Sequence, residues 1–420
     1  MEEKIITVID LGSAKICVIM ALLNEDKIEI KGIATTESKG IENGLVLDLQ
    51  KASETISKAV LIAQEQAGMM VENLFVGISG AHLRSEETTG KISIANGLEP
   101  SEINDVHLIS VQNDAKNSLK SRAENERLEI LHCIPMHYII DDHQTIITNP
   151  IGMTGFSIRV QANVILAEVN QMRNLRKVFE MSNLPEPEIV LGALATSEVV
   201  LDDDEKNLGS ILLDIGGGTT DIAIFHKSNL TAYLCIPMGG SLISHDLAVG
   251  LRTTPHAAEN MKIESGDAVL DSKNPETIIE IEGIGGRASQ QRPLSLISQI
   301  IAFRLKEILD ICYKEMLAKI SHIDHLTAGI IITGGTALLK NIEKKIENQD
   351  GFNLLCRTAY PNYKKINGPM SKLDDPRYSG ILGLLVFAAK SNKIFTKKKS
   401  IANNSIIRII TDFKNKLSHI

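Results

Sequence analysis

Two carboxylates stand where a core strand should carry none. The stretch ILLDIGGGTTDIAIF, Ile211 to Phe225, is two apolar β-runs joined by three glycines and two threonines, with Asp214 and Asp221 at their inner ends. Because a strand follows the glycines, the segment is a β-hairpin. That excludes the dinucleotide fingerprint, in which alternating glycines open a helix, and no GxxxxGK[ST] loop exists in the chain. Glycine backbone in such a turn can point its N–H groups inward around an anion, with Thr219 and Thr220 adding hydroxyls. Asp214, beneath the turn, can hold the waters of a Mg²⁺. Taken alone, the stretch reads equally as a plain hairpin whose aspartate caps its turn.

A looser copy changes the balance. VIDLGSAKICVIM, Val8 to Met20, repeats the pattern with Asp10, Gly12, Ser13 and the cation Lys15. Two such hairpins in two halves of one chain can face each other and clamp a polyphosphate. A third loop, Gly334-Gly335-Thr336, follows the apolar run Ile330–Thr333 and is expected to lead straight into a helix whose N-terminus favours negative charge. Glu259 and Lys262 lie three apart on a helical stretch and share a face, either as a ribose contact or as an exposed ion pair. The cluster His132, Cys133, His137, Asp141, Asp142 and His143 has metal-ligand residue types. Its first part alternates as a strand, so His132 and Cys133 should point to opposite faces, and a metal site is disfavoured.

These loops need strands to carry them. At 420 residues the chain is long enough for several domains, and 43% hydrophobic with 23% charged residues is ordinary for a globular protein. An α/β pattern opens the chain, with strands over 5–9, 16–22, 28–33 and 73–79 and a helix over 49–66. Between about Arg84 and Leu166 the pattern changes: a polar start at SEETTG, a strand over 91–95, a helix capped at Ser101 and running to about Glu126, then extended stretches. This is enough for a small inserted domain. After the acidic loop LDDDEKN the hairpin begins, and a long helix is expected over 294–320. Five scattered cysteines without a CxxC fit reduced, buried thiols and a cytoplasmic location. The N-terminus has no signal-peptide pattern, and no apolar run is long enough to span a bilayer. A net charge of −8, no Trp and 4% aromatics argue against a nucleic-acid binder.

Together, in this order, the glycine loops resemble the actin and heat-shock-70 ATPase superfamily. The inserted segment LHCIPMHYIIDDHQTIITNPIGMTG, the stretch LRTTPHAAENMKI, the GGR at Gly285 to Arg287 and the tail extend the resemblance over essentially the whole chain to the FtsA family of bacterial cell-division proteins. The resemblance implies a two-lobed actin-like α/β fold that binds ATP and Mg. It places Asp10, Gly12, Ser13 and Lys15 in a first phosphate loop, and Asp214, Gly216, Gly217, Gly218, Thr219 and Asp221 in a second. Gly239, Gly240, Glu259, Lys262, Gly334, Gly335 and Thr336 fall on the ribose and adenine side, and Asp10 and Asp214 hold the metal through water. It further implies self-association into filaments, recruitment of other division proteins through the inserted domain, and capture of the FtsZ C-terminal tail by a small lobe over about 241–322, with Arg287, Arg292 and Arg304 as candidate contacts. The implied location is peripheral, on the cytoplasmic side of the inner membrane at the septum. Members that hydrolyse ATP well carry an acid or amide ahead of the second phosphate loop. Here that neighbourhood reads Val190-Leu191-Gly192-Ala193-Leu194-Ala195, so nucleotide binding with slow or absent turnover is expected.

The last thirty-one residues carry eight lysines and arginines against one aspartate, leaving −15 on the remainder. Ile406, Ile410, Phe413, Leu417 and Ile420 recur on one helical face, with Arg408, Lys414 and Lys416 on the rest. Sixteen helical residues span about 24 Å, too short to cross, so the helix is expected to lie in the interface of an anionic membrane, the alternative being that it packs on the protein's own core or on a partner. Each buried large apolar side chain is worth about 1.5–3 kcal/mol and each cation about 1 kcal/mol. The expected boundaries are 1–83 and 167–205 for the first large lobe, 84–166 for the insert, 206–240 and 323–390 for the second large lobe, 241–322 for its small lobe, 391–404 for a linker and 405–420 for the membrane helix. Two soluble alternatives share the superfamily: a pilus-assembly platform protein, and a sugar or acyl kinase, which would need a catalytic acid between the lobes.

Overall fold

The computed structural model describes residues 4–24, 27–143, 145–269, 277–320, 323, 325–362 and 366–391. Within them, two sheets repeat one topology. In the first, Lys4–Leu11, Lys15–Asn24 and Lys27–Glu37 form an antiparallel meander. Leu74–Ile78 and Glu188–Leu191 then add in parallel on the far side of Lys4–Leu11, and the short Ile366–Asn367 borders the other edge. The second sheet has the meander Ser210–Ile215, Thr220–His226 and Asn229–Ile236, with Gly329–Thr333 and Cys356–Thr358 added in parallel beyond Ser210–Ile215. Each glycine-bearing turn therefore joins the first two strands of its sheet.

Parallel additions need crossovers, and helices provide them. Leu49–Ala67 connects the first meander to Leu74–Ile78. It starts where the Asp48 side chain accepts the Lys51 N–H at 3.1 Å and stops at Gly68, whose φ of 65° is left-handed. In the second half, Gly240–Leu251, Pro255–Ser265 and Leu294–Lys319 make the crossover.

Burial explains why the central strands look apolar throughout. In the second sheet, Ile211, Leu213, Ile215, Ile222 and Ile224 pack with the helices of their own half. Leu212, Ala223 and Phe225, on the opposite face, join the core of the first half. Side chains alternate along a strand, so Asp214 shares a face with Leu212 and Asp221 with Ala223. Both aspartates thus lie at the end of the face that meets the other lobe.

The segment between the first two parallel strands folds separately. Leu83–Ser93, Ser157–Glu168 and Leu128–Ile140 form an antiparallel three-stranded sheet covered by the helix Asp105–Asn125. Three local expectations are corrected here. SEETTG is part of the strand Leu83–Ser93, its polar side chains alternating outward from a sheet covered on one face. The helix is capped at Asn104, whose Oδ1 accepts from Val106 and His107, and not at Ser101, which pairs with Gly155 in a two-residue strand. LDDDEKN is no loop: Asp202 and Glu205 form a capping box around the short helix Asp203–Leu208.

Candidate functional site

The two hairpin turns close in the same way. Gly12 N–H donates to Lys15 O at 3.1 Å, and Gly216 N–H to Thr219 O at 2.9 Å. They also meet. A Cβ on Gly218 would lie 2.5 Å from Ser13 Oγ, and one on Gly217 would lie 2.9 Å from the Ala14 Cβ, so only bare backbone fits where the turns touch. Among the described residues no protein acceptor takes the N–H of Gly217 or Gly218. Between the lobes lies a cleft of about 390 Å³ lined by both hairpins.

Carboxylates form its floor. Asp214 and Asp221 are directly opposite in the strand pairing. Burial, reinforced by the neighbouring Asp221 and Asp10, pushes the Asp214 carboxyl up to about 8. Burial also raises Asp221, to about 6, opposed by its hydrogen bonds. Tyr233 OH donates to Asp221 Oδ1 at 2.6 Å and Thr219 Oγ1 to Oδ2 at 3.3 Å. Asp10 is raised by burial and drawn back by Lys15, whose own ammonium is disfavoured by burial. Lys15 Nζ sits 3.7 Å from the centroid of the Tyr378 ring, a cation–π contact. Asp10 and Asp214, half-buried at the cleft, thus share one weakened cation, with the buried Asp221 beside them, a donor set that fits a hydrated divalent ion with an anionic ligand. Gly334, at φ 85°, leaves Asp214 Oδ1 open where any Cβ would collide with it.

The opposite wall is built from the helix pair Gly240–Leu251 and Pro255–Ser265. Lys262 is buried, and its Nζ donates to Glu259 Oε2 at 2.8 Å, Ser244 Oγ at 2.9 Å and Gly240 O at 3.1 Å. The Glu259–Lys262 pair is therefore half-buried: Lys262 is withdrawn from solvent, while the Glu259 side chain stays 43% exposed on the cleft side. Thr336 Oγ1 donates to Gly216 O at 3.2 Å, tying the third loop to the second hairpin. Ile263 and Leu338, both exposed, supply an apolar rim.

Sixteen of the seventeen cofactor positions read from the sequence line this one cleft; Gly239 does not. It sits just behind, where Gly240 N–H and Ser241 N–H donate to Gly216 O and Gly217 O at 2.9 and 2.8 Å. Thr220, considered as a hydroxyl donor, turns away to Met238 O at 2.9 Å. The third loop does not enter a helix directly. A 3₁₀ turn, Gly335–Leu338, intervenes, and the helix Ile342–Glu347 starts only after Asn341 at φ 60°. Asn341 Nδ2 is held there by both carboxylate oxygens of Asp267, at 2.9 and 2.8 Å.

The stretch read from the sequence as lacking an acid or amide reaches the cleft, joined there by Thr196, Ser79 and Arg377, which motif reading passed over. Gly192, Ala193 and Thr196 form part of its wall, with Thr196 Oγ1 3.5 Å from Asp214 Oδ2. Ser79 and Arg377 line it as well. Ser79 was signalled only by its place after the buried strand Leu74–Ile78, and Thr196 and Arg377, in a helix and a 3₁₀ turn, carried no signal. Outside the cleft, Arg304 is engaged by Asp246, at 2.5 and 3.0 Å, while Arg287 and Arg292 are exposed. His132 Nε2 accepts the Leu191 N–H at 3.0 Å, and Cys133 faces Gln112 O on the other side of the sheet. Ile406, Arg408, Ile410, Phe413, Lys414, Lys416, Leu417 and Ile420 lie outside the described residues. Among the described residues no helix is long and apolar enough to cross a membrane.

Comparisons with known proteins agree with this geometry. Solved structures with the same arrangement include the PilM–PilN type IV pilus biogenesis complex (TM-score 0.63, 12% identity, 91% of this chain and 98% of that one). MreB5 of Spiroplasma citri bound to ADP is another (0.54, 15%, 94% and 98%). At such identities they establish an actin-like fold. A family model described as "Cell division protein FtsA" matches residues 211–383, and "SHS2 domain inserted in FTSA" matches 80–166. The cell-division protein FtsA of Neisseria meningitidis is 32% identical over 390 residues, covering 93% of this chain and 91% of its own. That of Bacillus subtilis is 30% identical, covering 93% and 84%. That of Escherichia coli K12 is 27% identical, covering 93% and 92%. By its sequence along almost its whole length, the chain belongs to the FtsA family of cell-division proteins.

Proposed function

We propose that the cleft takes ATP with Mg²⁺ and that the protein is a nucleotide-responsive scaffold of the division ring, not a metabolic catalyst. The observation that carries this reading is the contact of the two glycine hairpins at the cleft whose floor holds the half-buried Asp10 and Asp214. The likeness to MreB5, solved with ADP, supports a nucleotide there. Bound magnesium would neutralise phosphate charge, with Asp10 and Asp214 holding its waters. The free N–H groups of Gly217 and Gly218, with Ser13 and Lys15, would grip the phosphates. Gly240, Glu259, Lys262 and the Gly334–Thr336 turn would border the sugar and base.

Turnover should be slow. The acids lining the cleft are Asp10, Asp214, Asp221 and Glu259. Asp10 and Asp214 lie half-buried in the floor with the buried Asp221, and Glu259 is tied to Lys262. The wall at 192–196, where a water-orienting side chain would be needed, offers only Gly, Ala, Leu, Ala and Thr.

As a scaffold, the protein would self-associate into filaments and hold the FtsZ C-terminal tail on its second small lobe, near Arg287, Arg292 and Arg304. It would recruit later division proteins through the inserted domain and lie on the cytoplasmic face of the inner membrane at the septum through its basic, amphipathic C-terminus. One copy of that helix would bind weakly, and a filament presenting many would bind tightly through avidity. The pilus complex shares the fold at 12% identity, whereas the curated division proteins share the sequence.

The test is flotation of purified protein with anionic liposomes, full-length against a version ending at Lys393, with and without Mg-ATP. Only full-length protein should float, and more of it with Mg-ATP. If both versions stay at the bottom, the tether reading fails.

A further inference from the structure

The inserted domain leaves the first lobe through residues 79–85, and this short root is stitched to the second lobe. Ser79 Oγ lies 3.3 Å from Thr219 Oγ1, on the second phosphate hairpin. Ser85 Oγ donates to Tyr233 O at 3.0 Å and accepts the Tyr233 N–H at 2.8 Å. On the returning strand, Asn163 Nδ2 donates to Leu230 O at 3.0 Å. The Tyr233 side chain is fully buried and closes the circuit, its hydroxyl donating to Asp221 Oδ1 at 2.6 Å. The polar backbone of Gly80 lies against the same hydroxyl. One residue therefore touches the root of the inserted domain with its main chain and the phosphate hairpin with its side chain.

The root also carries unmet bonding capacity. Among the described residues, His82 Nδ1, Arg84 Nε and Asn163 Oδ1 are buried without a hydrogen-bond partner. Gly80 has φ 146°, and a Cβ there would lie 2.6 Å from His82 Nδ1. Unpaired buried polar atoms are rare in a settled core, and three at one junction mark a place with a second arrangement available.

We infer that Tyr233 is a positioning residue that couples the phosphate hairpin to the inserted domain, so that filling the cleft changes the strand Leu83–Ser93. This rests on the reading of the cleft as a nucleotide site. Occupancy fixes Asp221 and Thr219, Tyr233 follows Asp221, and Ser85 follows the Tyr233 main chain. The coupling needs both ends of Tyr233, so removing only its hydroxyl should sever it.

Hydrogen exchange of the full-length protein tests this, with and without Mg-ATP, in wild type, Tyr233→Phe and Ser85→Ala. In wild type, Mg-ATP should slow exchange several-fold in peptides covering both 211–225 and 83–93. In Tyr233→Phe the hairpin should still respond while the response at 83–93 disappears. Ser85→Ala, which cuts the other end, should give the same pattern and guards against a general effect of the buried Phe. The inference is overturned if 83–93 responds equally in both variants, or if the wild-type hairpin responds and 83–93 does not. If the wild-type hairpin itself does not respond, the nucleotide reading fails and takes the inference with it.

Discussion

At the scale of single residues, the cleft floor is held in an unfavourable ionisation state. Asp214 titrates near 8 because burial and two neighbouring carboxylates oppose its charge. Without ligand, the folded state binds more protons than the unfolded chain between about pH 4 and 8, so this group makes stability fall as pH rises through that window. Asp214→Asn removes the burden. Its melting temperature should exceed that of wild type at pH 8, and by much less at pH 5. The same variant should bind Mg-nucleotide at least about tenfold more weakly, roughly 1.4 kcal/mol, as read by calorimetry. A variant that binds as tightly as wild type would remove Asp214 from the site. The acid residues were legible in the sequence because charge inside an apolar strand is costly and therefore conspicuous. Thr196, Ser79 and Arg377 were not, since a Thr, Ser or Arg beside a turn is ordinary until the fold brings it to the cleft.

At the scale of elements, two contacts set how well the parts fit. The hairpins touch through Gly218 and Ser13, so Gly218→Ala should push them apart. Overpacking costs about 1–3 kcal/mol, and the expected signature is a larger loss of nucleotide affinity than of melting temperature. The second contact is His132, which accepts the N–H of Leu191 just before the helix Gly192–Val200 and must be neutral to do so. Burial holds its imidazole down to about 4, and does the same to His82. A lowered histidine contributes stability that is complete above about pH 6.5 and is lost as pH falls toward 4. For His132 this amounts to about 3 kcal/mol at most. His132→Gln, keeping an acceptor but not the titration, should flatten acid denaturation in that range. The strands and the long helices were readable because their periods are strong. The 3₁₀ turn at Gly335–Leu338 was not, because Asp267, far away in sequence, holds Asn341 and delays the helix.

At the scale of the whole molecule, the repeated hairpin motif in the sequence corresponds to a repeated sheet topology, five strands in the same order in each half. That correspondence explains why two loops about two hundred residues apart meet at one cleft, which spacing alone could not tell. The same repetition bears on kinetics. Leu212, Ala223 and Phe225 of the second sheet are packed into the core of the first half, so the lobes are not two bodies on a free pivot. Parting them means drawing an oily face out of its socket, and every 100 Å² so wetted costs about 2.5 kcal/mol. Widening must proceed by small sliding steps, as packed interfaces allow. A nucleotide held below the touching hairpins should therefore exchange slowly even if it is never hydrolysed, and a chase with unlabelled ATP should show dissociation much slower than encounter. The protein would then keep time by how long its two halves stay closed.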